Sequence, residues 1–158
     1  VDATDLVHQY DGYTEGQWTY TAWCYVPTDF VGESYFILLN TYGVENNWSV
    51  QVRLDSVLGV VESEFEAAQL PLITGEWVEM RAEIDLDLDL VELYYDGTLL
   101  SSKSWTEGVS GGGALNIAAV DLFANGATSV YYDNMSLVPE PASACLIVLG
   151  ALVTLRRR

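Results

Sequence analysis

Histidine occurs once in this 158-residue chain, at His8, cysteine twice, at Cys24 and Cys145, and basic side chains only six times. Each scarcity excludes something. With one imidazole and no Cys-x-x-Cys pair there is no ligand set for zinc. Cys24 sits in an aromatic strand pattern and Cys145 in an apolar tail, so a disulfide framework is not indicated. Six cations against 23 acids leave a formal net charge of −17, which repels a phosphate backbone along almost any approach and excludes nucleic acid as a partner. Three of the cations, Arg156, Arg157 and Arg158, close the chain, so Arg53, Arg81 and Lys103 are the only ones before Val138. Val1 to Tyr10 has neither a basic start nor an apolar run and does not read as a signal peptide. No helical periodicity of ten residues or more occurs before residue 141.

What is abundant is apolar and aromatic: half of the residues are hydrophobic and 12% are Phe, Trp or Tyr, enough to build a core and incompatible with a disordered acidic chain. The pattern has period two. Strands are expected at 18–26, 35–41, 48–54, 58–65, 77–86, 90–95, 98–105, 114–123 and 130–137, separated by turn signals such as Asn46-Asn47, Asp96-Gly97, Gly111-Gly112-Gly113 and Asn125-Gly126. In 78–84, Val78, Met80, Ala82 and Ile84 face inward while Glu79, Arg81 and Glu83 face water, and 77–105 makes a three-stranded meander with a turn at Asp87-Leu88-Asp89. Many short strands at regular spacing specify an antiparallel β-sandwich.

The last 21 residues differ in kind. Val138-Pro139-Glu140-Pro141 is followed by an uncharged run, Ala142 to Leu155, and then by Arg156-Arg157-Arg158. As a helix, 142–155 is about 21 Å long, short of the ~30 Å of bilayer hydrocarbon, and the arginines place its end in the cytoplasm and the β-domain outside. The two prolines are expected to end the preceding strand and expose the backbone between them to cleavage. These three parts in order resemble a PEP-CTERM sorting signal of bacterial exported proteins. The resemblance implies processing by an exosortase, transient tethering to the inner membrane, and delivery to the cell surface or extracellular matrix.

A second resemblance lies in the body. Trp77-Val78, Ile84-Asp85 and Leu93-Tyr94-Tyr95-Asp96-Gly97 are similar to the pattern of laminin G-like, concanavalin A-type jelly rolls, and Val130 to Leu137 resembles the closing strand of carbohydrate-binding jelly rolls. This implies a jelly-roll sandwich over 1–137, its opening strand upstream of Val1, followed by the sorting signal over 138–158 with one short transmembrane helix. It also implies a glycan ligand and a structural Ca2+ held in part by Asp133. Trp23, Trp48 and Tyr132 are the candidates for stacking on sugar rings, because the apolar face of a pyranose suits an aromatic plane.

Other constellations have bland counterparts. Glu83-Ile84-Asp85-Leu86-Asp87 approaches the carboxylate triplet of some jelly-roll glycosidases, but Asp87 is a methylene short of the acid needed and falls in a turn. Asp85, Asp87 and Asp89 also offer oxygen to calcium, or simply to water. Gly108-Val109-Ser110-Gly111-Gly112 satisfies Gly-x-Ser-x-Gly, yet lacks the helix and the histidine that a nucleophile elbow needs. The expectation is an exported, non-catalytic β-sandwich that binds extracellular polysaccharide, with a glycan-free structural role in the envelope or matrix, or a glycosidase, as the alternatives.

Overall fold

The computed structural model describes residues 3–140. Pro141, Cys145, the expected helix 142–155 and Arg156 to Arg158 lie outside the described residues. Among the described residues no helix is long and apolar enough to cross a membrane.

Two antiparallel sheets form the molecule. The six-stranded sheet has the order β1 (Thr4–Gln9), β10 (Ala119–Asn125), β3 (Glu33–Thr41), β4 (Asn47–Asp55), β5 (Val60–Ser63), β6 (Ala68–Pro71). The five-stranded sheet has the order β11 (Tyr131–Pro139), β2 (Gln17–Tyr25), β7 (Trp77–Asp85), β8 (Leu90–Tyr95), β9 (Thr98–Lys103). Alternation decides which side chains meet between them: Tyr20, Ala22 and Cys24 of β2, Val78, Met80, Ala82 and Ile84 of β7, and Phe36, Leu38, Val50, Val52 and Leu54 of β3 and β4 are all buried in one core. Trp105 is completely enclosed, and its indole Nε1 donates to the carbonyl of Asn116 at 3.0 Å, so the ring is buried without stranding its polar atom. The meander of β7, β8 and β9 is as the periodicity predicts. Its second turn, Asp96-Gly97, has φ of 49° and 70°, the two left-handed residues of a type I′ hairpin.

Three features depart from the sequence reading. Thr4–Gln9 is a strand, paired along its length with β10, although no strand is expected there from the sequence. The strand expected over 58–65 is confined to β5, and an unexpected strand, β6, pairs with it in a hairpin turned through Ala67 with a φ of 53°. The last strand does not stop at Leu137. β11 continues through Val138, opposite Thr19, and Pro139, opposite Trp18, and the Glu140 amide then donates to the Gln17 carbonyl at 2.9 Å. The backbone of the first three residues of the sorting motif is therefore docked on β2, with the side chains of Val138 and Pro139 exposed. β11 is the outermost strand of its sheet, the position where proline's missing N–H can be tolerated.

Candidate functional site

The outer face of the six-stranded sheet is not simply polar. Ile37, Leu39 and Ala119 form a second buried apolar cluster there, and Val7, Tyr35, Trp48 and Phe123 pack against it. Together they make a groove of about 400 Å³, floored by Val7, Ile37 and Leu39, walled by Tyr35, Tyr42, Trp48 and Phe123, and edged by Asp5, Asn46, Gln51 and Asp121. An apolar trough with a few convergent polar groups is the ordinary anatomy of a small-ligand site.

A β-bulge puts Trp48 in it. In β4, Trp48 is in phase with Val50, Val52 and Leu54, and uninterrupted alternation would send it into the core. Between Leu38 and Leu39 the register slips by one residue, so that Trp48 rather than Ser49 stands opposite Leu39. Ser49 turns inward instead, where its hydroxyl accepts from Asn40 Nδ2 at 2.7 Å. The loop after β9 fixes this arrangement. Val109 N–H donates to the Trp48 carbonyl at 3.1 Å, Ser110 N–H to Asn47 Oδ1 at 3.2 Å, and Lys103 Nζ to the Ser49 carbonyl at 2.9 Å and also to that of Glu107. Burial pulls the Lys103 ammonium below its usual pKa, opposed by Glu66 and Glu107.

Two carboxylates edge the groove from adjacent strands. Asp121 lies opposite Val7, and Asp5 opposite Phe123, which makes the two acids diagonal neighbours across the β1/β10 ladder. Asp121 Oδ1 is enclosed with no hydrogen-bond donor among the described residues. Burial first, then the neighbouring Asp5, push the Asp121 carboxyl up to about 7. Beyond Tyr35 and Gln51 the same face carries Arg53, ringed by Glu33 at 3.1 Å, Asp55 at 3.5 Å, Glu62 at 2.8 Å and Glu64 at 3.2 Å. The hydrogen bond from Arg53, seconded by one from Gln69, holds Glu62 below its ordinary pKa. Tyr35 donates its hydroxyl to Glu33 at 2.9 Å; burial and that bond push its phenol up to about 12.

The candidates named from sequence are scattered. Trp48 is in the groove. Trp23, 37% exposed, is on the outer face of the other sheet, opposite Glu79 and Asp133, beyond a row in which Tyr131, Tyr25 and Trp77 touch ring to ring. Tyr132 is a correction: it pairs with Cys24 in the inward phase and packs half-buried on the core with its hydroxyl enclosed, so it does not stand on an outer sheet face as a stacking platform. Burial pushes its phenol well up, and the Cys24 thiol up to about 12.

Asp133 is the residue that the resemblance implies for a structural calcium. It is exposed at a bulge in β11, its Oδ1 accepts from the Asn134 amide at 2.8 Å, and among the described residues no three acids, histidines or cysteines converge as a metal-ion site. The acids of 83–89 are occupied structurally. Glu83 pairs with Arg81, Asp85 Oδ1 accepts the Asp87 and Leu88 amides at 3.0 and 2.9 Å, and Asp87 accepts the Gly16 amide at 2.9 Å. Asp89 accepts from Ser104, from Thr106 Oγ1 and from the Thr106 amide. Burial would raise its pKa, but these bonds outweigh it and hold the carboxyl low. Gly108 to Gly112 is loop, as expected.

Neither Asp5 nor Asp121 was singled out in the sequence. The period-two phase of 119–123 could have put Asp121 beside Phe123 on one face, but nothing local joins it to Asp5, over a hundred residues away.

No protein-family model matches the chain, and no curated protein is similar to it in sequence. Solved structures do resemble it. A sialidase superposes with a TM-score of 0.66 at 8% identity over 88% of this chain, which spans only 14% of that protein's length. A carbohydrate binding module from Bacillus subtilis superposes at 0.57 with 14% identity, covering 87% of this chain and 83% of the module. An endo-beta-1,4-glucuronan lyase from the fungus Trichoderma reesei gives 0.54 with 11% identity, over 87% of this chain and 75% of the lyase. At these identities the likeness is one of fold, and the chain has the all-β jelly-roll sandwich that binding module, sialidase and lyase share.

Proposed function

We propose that this β-sandwich is a non-catalytic glycan-binding module, and that the ligand lies in the groove on the outer face of the six-stranded sheet. The observation that carries the reading is the bulge at Leu38/Leu39, which takes an in-phase tryptophan out of the core and stands it beside Tyr35 and Phe123 over an apolar floor. A bulge that re-aims a large side chain into a groove is a device of binding sites, and ring faces over an apolar floor suit the C–H face of a pyranose. The shared fold of a carbohydrate binding module supports the reading.

The tail supports the setting. Val138-Pro139-Glu140-Pro141, the apolar run and the arginines fit an exported protein that an exosortase processes, tethered for a time in the inner membrane through 142–155 with Arg156 to Arg158 inside, and then carried to the cell surface or matrix. Its partner there is an extracellular polysaccharide.

Titrating the chain against a panel of neutral, amino and acidic oligosaccharides tests this. Binding is expected for at least one class, weakened about tenfold or more in Trp48→Ala and unchanged in Trp23→Ala. An empty panel leaves the structural matrix role in its place. Hydrolysis of any panel member would make the module an enzyme and overturn the non-catalytic reading.

A further inference from the structure

The groove carries two acids and, among the described residues, no free cation to balance them. Asp5, Asp121, Asn46 and Gln51 edge it, and among the described residues no cation faces it freely: Arg53 is already met by four carboxylates, Arg81 lies on the other sheet between Glu79 and Glu83, and Lys103 is buried under the β9–β10 loop. A uronate, sialate or sulfated sugar entering here would bring a carboxylate or sulfate toward Asp5 and Asp121 with no free cation among the described residues to meet it. A neutral sugar can supply hydroxyl donors but no countercharge. Two neighbouring carboxylates on the edge of the groove, with no cation beside them among the described residues, gain most from a group that is both cationic and a pure donor.

Resting on the groove reading above, we infer that the ligand is an amino sugar, a glycan of the glucosamine class with free ammonium groups, and that Asp121 and Asp5 receive one such ammonium while Trp48 and Tyr35 cover the ring. The acids thereby set which sugar is taken, and the aromatic walls set that a sugar is taken at all. The two contributions separate experimentally.

The probe is a short β-1,4-glucosamine oligomer compared with its fully N-acetylated counterpart, which has the same linkage and length but no charge, and with an oligogalacturonate, all titrated into the full chain. The expected result is about tenfold tighter binding of the free amine than of the N-acetyl form, the scale of one charge-assisted hydrogen bond, and no binding of the uronate. Asp121→Asn and Asp5→Asn are expected to bring the free-amine and N-acetyl oligomers within about threefold of each other. Glu76→Gln, which removes an exposed charge far from the groove in sequence and sheet, is expected to leave the preference intact.

If Glu76→Gln erodes the preference as much as Asp121→Asn, the attraction is general to an anionic protein and the inference falls. If the N-acetyl oligomer binds as well as the amine, and Trp48→Ala weakens both, the amino-sugar inference falls while the groove stands. If no ligand responds to Trp48→Ala, the groove itself is refuted.

Discussion

A β-carbon built on Gly108 falls 2.3 Å from the carbonyl oxygen of Trp48. The loop after β9 thus lies against the backbone of the groove's tryptophan at a distance that only glycine allows, close enough for the neighbouring Val109 amide to donate to the same carbonyl. Alanine at 108 must push the loop off β4 or drag Trp48 with it. Gly108→Ala is expected to cost about 1–3 kcal/mol in chemical denaturation and to weaken glycan binding. Gly111→Ala is the comparison, because its φ is 66° with open space around the β-carbon. That variant should cost about 1 kcal/mol through backbone strain alone and leave binding unchanged. Equal loss of binding in both would show that Gly108 does not position the site.

Asp121 gives stability a pH dependence of definite sign. Its folded-state pKa, about 7, is raised above the ordinary carboxylate value, first by burial and then by Asp5. A raised pKa favours the protonated folded form, so its stabilising contribution is fully present below the unfolded-state value near 4 and is lost as pH rises through about 7. Asp121→Asn removes that titration. The variant and the parent should be closest in stability near pH 4, with the variant ahead by about 1–2 kcal/mol at pH 8 once solvent screening is allowed for. Urea denaturation at both pH values measures it, and a difference that does not widen between them refutes the assignment.

Among the described residues Arg53 is the only cation among four acids on the same sheet face, so its loss should exceed that of a surface ion pair. With the guanidinium gone, Glu33, Asp55, Glu62 and Glu64 repel one another across β3, β4 and β5. Arg53→Met, which keeps most of the aliphatic stem, is expected to destabilise by about 2 kcal/mol at pH 7, with much of the loss recovered in 1 M salt, where the screening length shrinks to about 3 Å. A loss insensitive to salt would point to packing of the stem instead.

How much of this was legible beforehand follows from which interactions are local. The meander 77–103 reads directly because alternation and the Asp96-Gly97 turn both act within a few residues. Trp48 could be nominated but its position could not be argued, since its own phase points into the core and only the register slip against β3 reverses it. Tyr132 has the same aromatic credentials in the sequence, but the bulge of β11 begins only after it, and its pairing with Cys24 fixes it inward. β1 and the pair Asp5/Asp121 were invisible because each depends on a partner over a hundred residues away, and the mixed pattern of Thr4–Gln9 becomes a strand through β10 alone.

The end of the sandwich can be placed by truncation. Val138 and Pro139 stay in register with Thr19 and Trp18, the Glu140 amide bonds Gln17, and Thr19 Oγ1 donates to the Glu140 carboxylate at 3.1 Å. A chain ending at Glu140 retains all of these contacts and should melt with the full-length protein. A chain ending at Leu137 loses them and uncovers the β2 edge beside Trp18, with an expected fall of about 4 °C or more in Tm. The contrast matters for processing: an enzyme that cuts at Val138 to Pro141 has to take an extended segment off β2 first, so cleavage should speed up in Thr19→Val, which deletes the hydroxyl that holds Glu140 while keeping a strand-forming residue. Cleavage of parent and variant at one rate, together with equal melting of the two truncated chains, would show that the docking of Val138 to Glu140 contributes nothing.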